Sequence, residues 1–266
     1  MAANDLSWRI QRSASSAVLE KNQIVWIWML STEGAAPTKE APAYPHHDDP
    51  RYKFGSGAYH YDAPYQLIHD NLLNLSHLGY VHLKTICGNA RQHMNAQMKV
   101  TAEGDCVKVV RLMPGTPPPP TYKAAWPFGE TCDRWQEIKF DLTHLRIWTD
   151  AIEPGHGALD DSNRGGFHMR GFHGITPETE TTAHYFWSMA SNRHPDMPET
   201  IDTVIEQTKF TFDEDKTVIE AQHRNMVQFG QQATWLDIHV DAGAVRACRV
   251  IARLLEQQRH QELAQA

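Results

Sequence analysis

Between residues 96 and 190 the chain carries a succession of β-rich stretches; one helical segment precedes them, and helical periods return only after residue 198. Strands that follow one another without helices between them pair antiparallel, whereas a doubly wound parallel sheet needs a helix after each strand. This order predicts the α+β class with an antiparallel sheet. Residues 96–113 read as a hairpin: Met98 and Val100 enter a turn at Glu103-Gly104-Asp105, and Val107, Val109, Val110 and Leu112 leave it. Residues 134–149, carrying Trp135, Ile138, Phe140, Leu142, Leu145, Ile147 and Trp148, predict one or two strands. Residues 167–175 and 181–190 predict two more, joined at Pro177. Upstream, residues 17–30 predict two strands about a Lys21-Asn22 turn, and residues 33–51, with Pro37, Pro42, Pro45 and Pro50, a surface linker. Gly115 to Pro120 and the glycines at 155, 157, 165 and 166 predict irregular loops. Downstream, a helix is expected from about Pro198 through Val204 and Ile205. The Phe212-Asp213-Glu214-Asp215 segment falls near its end, or in a second helix through Val218, Ile219 and Met226. A last helix is expected over 241–260, with Asp241 as N-cap and Val245, Cys248, Ala252 and Leu255 at helical spacing.

Composition narrows the function classes. The net charge of −7 over 266 residues argues against a nucleic-acid partner, which would want a basic face. The longest strongly apolar run, Ile24 to Leu30, is far short of the ~20 residues of a membrane-spanning helix, and Met1 to Arg12 has no apolar signal core. Four scattered cysteines, Cys87, Cys106, Cys132 and Cys248, form neither a disulfide framework nor a Cys-x-x-Cys zinc site, so a cytoplasmic setting is expected. The sixteen histidines are more telling if any of them are organised.

Residues 64–84 form the first clear helical segment. Ile68, Leu72, Leu75 and Leu78 keep a helical period, and Asp70, Asn71, Asn74 and His77 form a polar stripe at steps of three and four. His77 and His82 are five apart, so on an ideal helix they diverge by about 140°. They converge on one ion only if the helix bulges or ends between them, which Gly79 permits. A carboxylate could complete such a site, and spacing alone does not choose among Asp213, Asp215 and Asp241. His46-His47-Asp48-Asp49, flanked by prolines, reads as a solvated turn. Trp26, Trp28 and Trp187 read as core or subunit-interface residues.

The stretch Asp70-Asn71-Leu72-x-x-Leu75-Ser76-His77-x-x-Tyr80-Val81-His82 resembles the mononuclear iron motif of Rieske-type non-haem iron oxygenases, in the vanillate O-demethylase and dicamba monooxygenase branch. Ile175-Thr176-Pro177-Glu178-Thr179-Glu180 with His184-Tyr185-Phe186-Trp187 resembles a strand pair of that branch. Glu214-Asp215-Lys216-x-Val218-x-Glu220-Ala221 resembles the segment that supplies its third iron ligand. Two imidazoles and one carboxylate are the signature of non-haem iron(II) oxygenases.

The resemblance implies a helix-grip (START-like) fold: an antiparallel sheet curved round a long C-terminal helix, with a ligand pocket between. It implies Fe(2+) held by His77, His82 and Asp215, with Asn71 orienting a ligand or water and His173 in the wall of the substrate pocket. Asn74 stands where the family often has an aspartate linking the iron site to a neighbouring subunit's cluster. The implied reaction is hydroxylation or oxidative O-demethylation of a small aromatic compound with dioxygen. A reductase or ferredoxin would supply electrons to a homotrimer. The family's [2Fe–2S] cluster needs Cys-x-His and Cys-x-x-His pairs, and neither occurs in these residues. The expected organisation is therefore the tail of a Rieske-like domain plus a linker over 1–45 and a mononuclear iron domain over 46–266. The competing readings are a catalytically inactive helix-grip protein that binds a hydrophobic ligand, and a fragment of a longer chain.

Overall fold

The computed structural model describes residues 11–13, 16–29, 37, 39–86, 89–142, 144–156, 165–230 and 238–265. Leu30, Cys87, Gly157 and parts of the predicted linker lie outside them. The chain divides into two compact units, Met1–Lys53 and Phe54–Ala266.

In the first unit, β1 (Gln11–Ser13), β2 (Ser16–Lys21) and β3 (Ile24–Met29) form an antiparallel three-stranded sheet. The turn joining β2 to β3 is centred on Asn22 and Gln23, both at positive φ, as two-residue hairpins require. The segment expected to be a linker is folded back on this turn. His47 Nδ1 donates to the Asn22 carbonyl at 2.8 Å, and the amide of Tyr44 donates to Asn22 Oδ1. Tyr44 and His47 are buried, the latter in a 3-10 turn at Pro45–His47, so the His46–Asp49 run is only partly solvated.

The second unit is built on a seven-stranded antiparallel sheet, which gives the α+β class expected. Its strands are β4 (Tyr52–Tyr61), β5 (Gln97–Glu103), β6 (Cys106–Thr116), β7 (Cys132–Asp141), β8 (His144–Ile152), β9 (Phe167–Pro177) and β10 (Ala183–Asn192). From β5 to β10 each strand pairs with the next in sequence, and β4 closes the far edge beside β10. Alternation is clean on β6, where Val107, Val109, Arg111 and Met113 are buried and their neighbours half-buried. β4 is a strand that the sequence reading missed. Its Gly55 and Gly57 weaken the strand signal, but a Cβ at Gly55 would lie 2.4 Å from Ile205 Cγ2 and one at Gly57 2.8 Å from Trp187 Nε1. The glycines let the helical layer and Trp187 approach the backbone.

Among the described residues six α-helices complete this unit: α1 (Tyr65–Leu73), α2 (Leu78–Val81), α3 (Ala90–Met94), α4 (Pro120–Ala125), α5 (Thr200–Phe229) and α6 (Ala242–Gln265). α5 packs against β10 and α4, α6 against β5 and β6, and α1 touches both long helices. Four expectations are corrected here. Residues 64–84 are two helices and not one, because Asn74 leaves helical geometry and its Oδ1 accepts from the amide and hydroxyl of Ser76. Pro120 starts α4, where a proline's missing N–H costs nothing, and Gly115–Thr116 still belong to β6. α5 is a single 30-residue helix through the acidic Asp213–Asp215 segment, ending where Gly230 takes φ +54°. α6 buries Ala244, Ala247, Val250 and Ile251, while Cys248, Ala252 and Leu255 are exposed. Asp241 directly precedes α6, but its Oδ2 accepts from the Ile238 amide behind it.

Two core histidines give the fold a pH signature. His69 on α1 lies edge-on to Phe140, and His144 on β8 stacks on Phe172. Burial lowers each imidazole to about 4. Between that value and the unfolded one near 6.5, the unfolded chain binds more protons. Stability therefore falls as pH is lowered through this window, by up to about 1.4 kcal/mol per pH unit for each histidine. Urea midpoints measured from pH 7 to pH 5 should drop steeply, and less steeply for His69→Gln.

Candidate metal centre and pocket

Three side chains from two regions of the chain converge. The break after α1 frees His77 to begin α2, and His82 is the residue at which α2 ends. One short helical turn, Leu78–Val81, thus separates the two imidazoles, the backbone leaves helical geometry at His82, and the rings lie 5.2 Å apart. Gly79 sits inside α2 and serves close packing, not a bulge: a Cβ there would fall 2.2 Å from the Cα of Ala90 on α3. The third group comes from α5. Ile201, Val204, Thr208, Thr211, Phe212, Asp215 and Ile219 form its buried stripe at steps of three and four. Asp215 is in that register. Asp213 is about 200° round the helix, on the other side, where it accepts from Tyr59 Oη at 2.7 Å and pairs with Lys209. Asp241 lies outside the cluster.

His82 Nε2 and His77 Nε2 stand 3.0 and 3.5 Å from Asp215 Oδ1, and one ligand atom from each of the three residues lies within 4.8 Å of the others. Burial opposes ionisation of Asp215, but the imidazoles of His77 and His82 outweigh it and hold the carboxyl at about 2. Burial also works against a proton on His82, and the carboxylates of Asp215 and Glu214 overcome it, raising the imidazole. The spacing suits a metal ion: ligand atoms on legs of about 2 Å lie about 3 Å apart when they share one face. Among the described residues this is the one such group of three.

Two further residues orient Asp215 and His82. Asn71 Nδ2 donates to Asp215 Oδ1 at 3.0 Å, so this predicted residue is at the centre. Asn74 is not: its side chain closes the α1–α2 turn. Glu214 was not singled out by the sequence. Its Oε2 lies 2.9 Å from His82 Nδ1, and by taking that N–H it turns Nε2 towards the cluster. Its position beside Asp215 on one helix was the available signal. Glu214→Gln and Asn71→Ala are each expected to weaken ferrous-ion binding by about 10- to 100-fold, which metal titration would measure.

The cluster lies in the wall of a cavity of about 720 Å³, mouth included, between the sheet and the helices. Leu72, Ile147, Met169, Met189 and Phe212 make most of it apolar. His173, the predicted wall residue, is there and buried. Burial lowers its imidazole to about 3, its Nδ1 lies 2.7 Å from Tyr185 Oη, and Nε2 has no protein partner among the described residues. Tyr185 and Trp187 pack with Phe212 around it, which places Trp187 in the core.

A two-histidine, one-carboxylate centre beside a deep, mostly apolar pocket is the arrangement that non-haem iron(II) oxygenases use. Residues 61–257 match the vanillate O-demethylase oxygenase C-terminal domain, and the chain belongs to that family. Comparison with known proteins agrees. The chain is 33% identical to a vanillate O-demethylase oxygenase subunit of Pseudomonas sp. (strain HR199 / DSM 7063), over 91% of this chain and 69% of that protein. It is 29% identical to the oxygenase component of dicamba O-demethylase of Stenotrophomonas maltophilia, over 90% and 70%. A crystal structure of dicamba monooxygenase bound to 3,6-dichlorosalicylic acid superposes with a TM-score of 0.79 at 26% identity, covering 91% of this chain and 70% of that one. No described helix is long and apolar enough to cross a membrane.

Proposed function

We propose that this chain carries the substrate-oxidising centre of a multicomponent oxygenase, with iron(II) held by His77, His82 and Asp215. The observation that carries the reading is the convergence of these three residues at the wall of an apolar cavity. When bound, iron(II) supplies dioxygen activation with externally delivered electrons. The chain's own residues do the rest. Glu214 fixes the His82 ring, Asn71 steadies the Asp215 carboxylate, and the apolar wall excludes water while holding an aromatic ring. His173 stays neutral and offers one ring nitrogen to the cavity. By kinship with O-demethylases, the substrate is a small aromatic compound bearing a methoxy group, oxidised to the phenol with release of formaldehyde. The same kinship supports a reductase or ferredoxin as electron donor, a homotrimeric assembly in which a [2Fe–2S] cluster feeds each iron, and a cytoplasmic setting. Residues 1–45 then correspond to the tail of the cluster-bearing domain and its linker, and residues 46–266 to the iron domain.

The test uses hydrogen peroxide in place of dioxygen and electrons: one methoxyarene and one peroxide yield one phenol, one formaldehyde and one water. Ferrous-loaded protein is expected to form phenol and formaldehyde in equal amounts from a methoxybenzoate, and Asp215→Ala to form neither. Equal yields from the two proteins would overturn the reading.

A further inference from the structure

Among the described residues of the second unit three arginines are buried, and two of them are paired. Arg170 meets the Asp150 carboxylate, and Arg111 donates to the His93 carbonyl and to Gln136. Arg134 on β7 is different. It is 3% exposed, yet its Nε and Nη1 have no hydrogen-bond partner among the described residues. Nη2 reaches only the Ile86 carbonyl, at a long 3.4 Å. No carboxylate pairs with it among the described residues. What holds it is Tyr122, whose ring stacks on the guanidinium at 4.9 Å. Stacking takes the planar face and leaves the N–H donors of the edge unused.

This side chain lines the same cavity as the metal centre. Alternation along β7 turns Arg134 and Gln136 to the inner face, and strand register puts Thr149 of β8 beside Gln136. The next inward residues along the two strands are Ile138 and Ile147, so the cavity passes from a polar end to an apolar body. Asp215 is the one acid in the wall, and His77 and His82 already engage it. A buried guanidinium without a counter-charge is costly in a folded protein. A ligand anion that arrives with the substrate removes that cost and gains charge-assisted hydrogen bonds.

We propose that Arg134 is the specificity residue of this pocket and that it binds an anionic group, carboxylate or sulfonate, carried on the substrate's aromatic ring. The inference rests on the reading of the cavity as a substrate site. It adds which residue seats the acid group: the charge lies at the Arg134–Gln136–Thr149 end and the ring in the apolar body.

Calorimetric titration of the ferrous-loaded full chain, under nitrogen, tests this with three probes: 4-methoxybenzoate, 4-methoxybenzenesulfonate and neutral methoxybenzene. Wild type is expected to bind at least one of the two anions about 10- to 100-fold more tightly than methoxybenzene. A benzoate-only or sulfonate-only preference identifies which anion the site takes. Arg134→Gln should erase the preference while leaving methoxybenzene affinity within about twofold, and Arg134→Lys should keep part of it. If Arg134→Gln does not fold, the lysine variant and the wild-type ratio decide. Equal wild-type affinity for anions and methoxybenzene, absence of binding by both anions, or a preference undiminished in both variants would overturn the proposal. Iron content measured on the same samples separates the two readings. Selectivity lost with iron retained bears on Arg134 alone, whereas a wild type that takes up no iron bears on the metal centre.

Discussion

Replacing Asp215 by alanine is expected to abolish stoichiometric iron binding. Wild-type protein reconstituted anaerobically should take up ~1 ferrous ion per chain, and Asp215→Ala should bind more than about 100-fold more weakly, beyond the 10- to 100-fold cost of losing an outer partner. Two neutral imidazoles alone leave the ion without its anionic ligand, and the Asn71 amide that now donates to Asp215 would point at nothing. His77→Ala and His82→Ala should behave alike. Asp213→Ala is the control. Its carboxylate lies on the other side of α5 with Tyr59 and Lys209, so iron content should be unchanged. Iron assay after desalting reads the wild type and all four variants. Loss of iron in Asp213→Ala with retention in Asp215→Ala would reverse the assignment.

The second large effect is steric. Gly79→Ala places a methyl 2.2 Å from both the Cα and the Cβ of Ala90, where the obstacle includes backbone and cannot rotate away. α2 and α3 must separate, at a cost of about 1–3 kcal/mol of the kind that overpacking imposes. The four residues of α2 set the spacing of His77 and His82, so the same substitution is expected to lower iron affinity as well as the urea midpoint. A Gly79→Ala protein with wild-type stability would show that α3 moves freely. Wild-type iron affinity in that variant would show that α2 does not set the spacing.

These two expectations also mark what the sequence could tell. The succession of β-rich stretches gave the antiparallel sheet, because period-two patterns with Gly and Pro turns leave few alternatives. His77, His82 and Asp215 were found by resemblance, not by spacing. Spacing allows the two histidines to converge only through a break at Gly79, whereas the segment breaks earlier, at Asn74–Ser76, and α2 ends at His82 itself. The choice between Asp213 and Asp215 stalled on the helix boundary. The acidic segment reads as the end of one helix or part of a second, but α5 runs through it. Once that helix is continuous, the stripe Val204–Thr208–Phe212–Asp215–Ile219 selects Asp215 without any family. The face of α6 was misread because small residues decide it. Ala244 and Ala247 bury little and signal little, while Val245 and Leu255 look as apolar as Val250 and Ile251. Arg134, Glu214 and the glycines of β4 act through partners distant in sequence, which no local pattern reveals.

The position of the bound iron is the most direct test of this centre. Crystals of the ferrous-loaded protein, measured at the iron absorption edge, should give one anomalous peak within bonding distance of His77 Nε2, His82 Nε2 and the Asp215 carboxylate. A peak at another group of side chains, or crystals of loaded protein with no peak at these three, would contradict it.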